Sequence, residues 1–188
     1  MRPHDSALID ALEGRATEVF AGDVWRVTRA GREALMGSTV PGRWSPGENT
    51  PVLYTSLERD GALAEIGFRL SLEAVWPSRL EHEIHRIEAS TERTLRFLDV
   101  TALHPLGVDA ARWQGFDYQS SQAIAAAAHF LEFDGLIVPS ARAACANLVV
   151  FLTNLIPNRT LSVRETRPVD WSPWRTRSPR TVEEPTLQ

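Results

Sequence analysis

Hydrophobic and polar positions follow two rhythms along the chain. In "VWRVT" (24–28), Val24, Arg26 and Thr28 fall on one side and Trp25 and Val27 on the other, the period of a half-buried strand. "PVLYTS" (51–56) predicts a second strand. "LEHEIHRIEA" (80–89) and "TLRFLDVT" (94–101) predict two more, joined by a short Ser-Thr-Glu-Arg turn. "GLIVPS" (135–140) and "NLVVFLT" (147–153) are near-continuous apolar runs of the kind that fill a sheet centre. Three stretches repeat their apolar positions at helical spacing instead. They are "DSALIDALEGRATEVF" (5–20), with Asp5 or Ser6 as N-cap, "SLERDGALAEIGFRLSLEA" (56–74), and the alanine-rich "YQSSQAIAAAAHFLEF" (118–133). In the second, Leu63, Ile66, Leu70 and Ala74 share a side despite Gly61 and Gly67. The sum is α+β: a sheet-rich core flanked by a few helices.

The pattern stops near residue 164. "RETRPVDWSPWRTRSPRTVEEPTLQ" is charged, proline-rich and aperiodic, so residues 1–163 read as one domain and 164–188 as a Pro/Arg-rich tail, mobile or docked on a partner. A length of 188 residues with 43% hydrophobic content suits one domain with a real core. A net charge of -4 argues against a nucleic-acid partner. No apolar run is long enough to cross a bilayer and the first 20 residues lack a secretory core, so a cytoplasmic protein is expected. Cys145 is the only cysteine, which excludes an internal disulfide and a cysteine-rich zinc site. All 20 basic residues are arginine. A lysine Schiff base and a P-loop are therefore excluded, and any bound anion must be held by arginine, backbone N–H groups or hydroxyls.

Several residues are candidates for chemistry, each with a plainer alternative. "GRWSPGENTPVLYTS" (42–56) places Arg43, Trp44 and Tyr54 beside glycines that let the backbone approach something closely. The grouping suits either packing or a ligand with negative charge and a flat ring. Glu65 lies eleven residues after Tyr54 among small neighbours, where a helix glutamate either faces solvent or meets a ligand. Ser140 ends an apolar strand; without G-x-S-x-G or Ser-x-x-Lys it reads as a hydrogen-bonding or turn residue, not an acyl acceptor. Arg26, in mid-strand, needs an anionic partner if buried, either a structural ion pair or a ligand. "HEIH" (82–85) is one residue short of H-E-x-x-H, so His82 and His85 read as structural or surface groups. The aspartates are scattered, which disfavours a metal-dependent nuclease.

The order Arg26, Gly42-Arg43-Trp44, Tyr54, Glu65, Val138-Pro139-Ser140-Ala141-Arg142 and Asn147 resembles the RES domain family over roughly residues 22–157. The strongest segments are "GRWSPGENTPVLYTS", "ALAEIGFRL" and "DGLIVPSAR". The resemblance implies an ADP-ribosyltransferase-like fold and NAD+ as substrate, with no metal. It implies a bacterial toxin that consumes NAD+ by hydrolysis or phosphorolysis, or that transfers ADP-ribose to a protein. It also implies an antitoxin partner with an Xre-like helix-turn-helix region. Carried onto this sequence, Glu65, Arg26 and Tyr54 take catalytic roles. Arg43, Tyr54, Ser140, Trp44 and Asn147 take substrate-binding roles. The rival from another class is a non-catalytic module that binds a nucleotide or a partner.

Overall fold

The computed structural model describes residues 6–47, 49–155 and 160–175. In chain order the elements are α1 (Ser6–Glu13), β1 (Glu18–Arg29), β2 (Val52–Ser56), α2 (Arg59–Ser71), β3 (His82–Arg96), α3 (Gln119–Phe130), β4 (Gly135–Pro139), β5 (Ala146–Phe151), β6 (Leu161–Pro168) and α4 (Ser172–Arg175). Two 3-10 turns, Thr101–Leu106 and Ala110–Arg112, lie between β3 and α3.

The strands run β1-β2-β5-β4-β3, and β3 pairs back onto β1, which closes a five-stranded barrel. Strand β6 adds outside the ring along residues 83–89 of β3. The β3–β4 pair is parallel and so needs a long crossover, supplied by the 3-10 turns and α3.

Strand alternation sorts the side chains into three buried groups. Val24, Leu53, Ile87, Ala89, Ile137, Leu148 and Val150 come from all five strands and fill the barrel. Facing outward, Val52, Leu136, Val138, Val149 and Phe151 pack under Leu12 of α1 and the Ile124, Ala125 and Ala128 stripe of α3. On another outer side, Val27 and Ile84 pack under Ala62, Leu63 and Leu70 of α2. The barrel thus holds α2 and α3 over its outer surface, and the ends of β2, β4 and β5 meet between them.

Three elements differ from the sequence expectation. The helix predicted over 5–20 stops at Glu13, and residues from Glu18 onward join β1, where pairing with β3 overrides the local helical period. The two strands predicted at 80–89 and 94–101 are one strand, β3. Its polar run stays extended because the buried Asp134 carboxylate accepts the Glu92 and Arg93 N–H groups, at 2.6 and 3.1 Å. The segment from residue 164, expected as tail, instead continues β6 to Pro168 and then buries Trp171 against Trp76 and His82. An edge strand exposed on both faces carries charges at successive positions, here paired as Arg164–Glu88 and Arg86–Glu165, and so shows no alternation to read. The rest of the expected tail, residues 176–188, lies outside the described residues.

Candidate active site

Helix α2 starts two residues after β2, which ties its first turn to the sheet. Gly61 makes this possible: a Cβ there would overlap Cys145 Sγ and Ser56 Oγ. One turn later, Glu65 reaches the ends of β4 and β5. Its Oε1 accepts a 2.6 Å hydrogen bond from Ser140 Oγ and a 3.2 Å bond from Asn147 Nδ2. Ser140 follows β4 and Asn147 lies in β5, on the two sides of one hairpin, where Val138 pairs with Asn147 and the Ser140 N–H donates to Cys145 O. The Ser140 hydroxyl also accepts the Arg142 and Ala143 N–H groups, at 3.1 and 3.3 Å. Its proton is committed to the carboxylate, so it orients Glu65 and is not poised as a nucleophile.

Tyr54 sits on β2 opposite Val149, on the same outward face as Asn147. Its hydroxyl is buried without a hydrogen-bond partner, and so is Asn147 Oδ1. Burial pushes the phenol up to about 12, opposed by the Trp44 main chain and the Arg69 charge, so it is a neutral donor at physiological pH. The Gly42 backbone lies against this ring: a Cβ there would stand 2.9 Å from the Tyr54 oxygen. Gln122 Nε2 holds the loop by donating to Gly42 O at 2.9 Å.

Arg43 extends from that loop between two rings, with Cζ 4.4 Å from the centroid of Trp113 and 4.6 Å from that of Tyr118. Its Nη2 donates to Gly115 O at 3.0 Å. Burial lowers its pKa; Tyr118 and Glu65 favour the charge and Arg142 opposes it. Arg142 lies with Cζ 3.6 Å over Phe68, three residues beyond Glu65 on α2. Phe116 stacks on Phe68 at 6.2 Å, so the segment before α3 reaches across to α2 over this group. Two surface cavities, of about 140 and 350 Å³, lie elsewhere, beside Trp25 and Arg59 and beside His82 and Trp171. Neither contains a member of the Glu65 group. Among the described residues no group of three or more His, Cys, Asp or Glu could hold a metal ion.

Of the residues singled out in the sequence, Glu65, Ser140, Asn147, Tyr54 and Arg43 come together here. Trp44 does not face the group; it is buried in the core against Trp113, with ring centroids 6.2 Å apart. Arg26 is placed differently. It shares a strand face with the barrel-filling Val24, while Trp25 and Val27 face α2. Its Nη1 donates to Ala34 O at 3.0 Å, and its cross-strand neighbour is His85. Burial lowers its pKa. It makes none of the hydrogen bonds that join Glu65, Ser140 and Asn147.

The RES domain family model matches residues 23–172, which contain every residue of this group. The chain belongs to the RES domain family. Among relatives of this RES protein is the NAD(+) phosphorylase MbcT of Mycobacterium tuberculosis, 26% identical over 143 residues, covering 73% of this chain and 77% of MbcT. The MbcT of Mycobacterium bovis matches equally. A "Probable NAD(+) phosphorylase" of Mycobacterium tuberculosis is 33% identical over 132 residues, covering 68% of this chain and 63% of that protein. In fold, the chain matches a chain of the crystal structure of the M. tuberculosis MbcT–MbcA toxin–antitoxin complex, with a TM-score of 0.79, 23% identity, and 92% of this chain and 97% of that one covered.

Four residues that the structure brings next to this group had no role assigned from the sequence: Arg142, Phe68, Phe116 and Tyr118. Arg142 stood inside the quoted "VPSAR" segment without one. The signal for the others is the aromatic run Trp113, Phe116, Tyr118 ahead of α3, dense for a connecting segment.

Proposed function

We propose that this protein cleaves the nicotinamide–ribose bond of NAD+ and passes the ADP-ribosyl group to inorganic phosphate, as the toxin of a toxin–antitoxin pair. The observation that carries this reading is the Glu65 carboxylate, oriented by Ser140 and Asn147 within electrostatic reach of the Arg43 guanidinium. Nicotinamide is a good leaving group because its ring nitrogen is cationic in NAD+. When the C–N bond breaks, its electron pair neutralises that nitrogen and the ribose becomes oxocarbenium-like. Glu65, placed beside the sugar, stabilises the positive charge. A phosphate oxygen forms the new bond to the anomeric carbon. The proton carried by hydrogen phosphate stays on the product or passes to solvent.

The unpartnered Tyr54 hydroxyl and Asn147 carbonyl oxygen are matched by the ribose hydroxyls and carboxamide of the substrate. Arg43 supplies a planar, bidentate grip for the pyrophosphate. The names of the relatives support NAD+ as substrate and phosphate as acceptor. Likeness to a chain of a toxin–antitoxin complex supports an antitoxin partner. A cytoplasmic site of action follows from the substrate, and no helix among the described residues is long and apolar enough to cross a membrane.

The test is to incubate the full chain with NAD+ in rising phosphate and follow free nicotinamide and the nucleotide product. Phosphate-dependent release with an ADP-ribose phosphorylated at its anomeric carbon is expected. Intact NAD+ under all conditions overturns the reading; turnover restored by adding a cell lysate then points to transfer to a protein, and none to a non-catalytic binding module.

A further inference from the structure

A second guanidinium, that of Arg142, rests on Phe68, three residues beyond Glu65 on α2. Arg142 lies in the β4–β5 turn, and its own N–H donates to the Ser140 hydroxyl that orients Glu65. Arg142 is therefore, through its backbone, two hydrogen bonds from the Glu65 carboxylate. Its head rests on a ring platform, 3.6 Å from the Phe68 centroid and 5.7 Å from that of Phe116, and Phe116 is exposed to solvent. Among the described residues no carboxylate forms an ion pair with Arg142. Ring stacking leaves the guanidinium N–H edge open for an anion.

Arg43 differs. Its head lies between Trp113 and Tyr118 and gives one N–H to Gly115 O, and the rest of its edge is assigned to the pyrophosphate. The two guanidiniums are close enough for the charge of Arg142 to disfavour that of Arg43, while Glu65 favours it.

We propose that Arg142 binds the acceptor phosphate and so decides phosphorolysis over hydrolysis; this rests on the NAD+ reading above. The bound substrate places its anomeric carbon at Glu65. The acceptor oxygen must then approach to about 3–3.5 Å of that carbon. Arg142 holds phosphate there by a two-pronged contact with its oxygens, from the solvent-facing side of the Phe68–Phe116 platform. Water needs no such grip, so a site without Arg142 still cleaves NAD+ but releases ADP-ribose.

The experiment compares wild type, Arg142→Gln and Arg142→Lys, varying phosphate and NAD+ separately and resolving the two nucleotide products. For Arg142→Gln the KM for phosphate rises about ten- to a hundredfold, the size of a lost charge-assisted contact. The KM for NAD+ stays within about twofold, and the product shifts toward ADP-ribose. Arg142→Lys restores part of the phosphate affinity but not the wild-type value. Unchanged phosphate dependence in Arg142→Gln overturns the proposal. So does a parallel rise in both KM values, which would put Arg142 on the pyrophosphate. A second readout needs no turnover: the rise in Tm with inorganic phosphate alone, for wild type and Arg142→Gln, each referred to its own phosphate-free Tm. A smaller rise in the variant supports the site, and an equal rise refutes it. That readout decides about Arg142 even if the wild type fails to cleave NAD+, an outcome that sinks the NAD+ reading by itself.

Discussion

Ser140 Oγ donates to Glu65 Oε1 at 2.6 Å, across 75 positions of sequence, while accepting two backbone N–H groups of its own turn. The bond joins α2 to the β4–β5 hairpin and sets where the carboxylate points. A hydroxyl polarised by two donors gives a stronger bond to the carboxylate than a free serine would. Ser140→Ala leaves Glu65 with Asn147 alone. The expected result is a fall in kcat of about tenfold, the worth of one hydrogen bond to a charged group, with the fold intact by circular dichroism. A kcat equal to wild type would show that Ser140 serves the turn and not the carboxylate.

Tyr54 gives the opposite balance of stability and function. Its hydroxyl is buried with no hydrogen bond of good geometry and only a weak contact with the Trp44 main chain, a state that costs up to about 1–3 kcal/mol in the free protein. Tyr54→Phe removes that cost, so urea unfolding should show equal or greater stability. The KM for NAD+ should rise several-fold, because the ligand loses a donor. A marked loss of stability would mean that the hydroxyl has a partner within the protein.

Gly61 tests how the helix is seated. Its missing Cβ lets α2 lie on Ser56 and Cys145, one turn before Glu65. Gly61→Ala forces helix and hairpin apart, at a cost of about 1–3 kcal/mol for overpacking. Because the same shift moves Glu65 away from Ser140, kcat falls as well. The helix interior otherwise favours alanine over glycine by about 1 kcal/mol, so a stabilised variant would contradict the observed contact.

Acid should weaken the fold through His85 and His82. His85 lies between Thr28 Oγ1 and Thr166 Oγ1, at 2.8 and 2.9 Å. Burial lowers its pKa, Glu83 opposes this, and Arg26 reinforces it. His82 is lowered by burial too, against the Leu80 carbonyl and together with Arg29. In the unfolded chain both take up protons near the ordinary value of 6.5, whereas the folded protein does so only at lower pH. The unfolded state therefore binds more protons in that window, and stability is lost as pH falls below it. Urea melts at pH 7.5 and 5.5 should show the loss, and His85→Gln should reduce it.

What the sequence reveals and what it hides follow from the range of the interactions. Tyr54, Glu65, Ser140 and Asn147 are readable because each lies in a short segment of local character: a strand, a helix with small neighbours, the end of an apolar run. Arg26 shows the limit. Alternation puts it opposite Trp25 and Val27, but only the closed barrel decides that Trp25 and Val27 face α2 and Arg26 does not. Trp44 looks like a ligand platform in its loop, yet Trp113, far along the chain, draws it into the core. The unbroken β3 depends on Asp134, about forty residues away, taking up the donors of a polar run that otherwise reads as a turn. Strand β6 carries no period because both of its faces are largely exposed.

The role of the Glu65 charge is tested by the turnover of NAD+ by Glu65→Gln beside wild type in the same phosphate buffer, read as nicotinamide released. The amide keeps the size of the side chain and its contact with Ser140 but loses the charge that stabilises the ribosyl cation. The kcat is expected to fall by about a hundred- to a thousandfold with the KM for NAD+ little changed. A Glu65→Gln enzyme that releases nicotinamide at the wild-type rate would contradict that role.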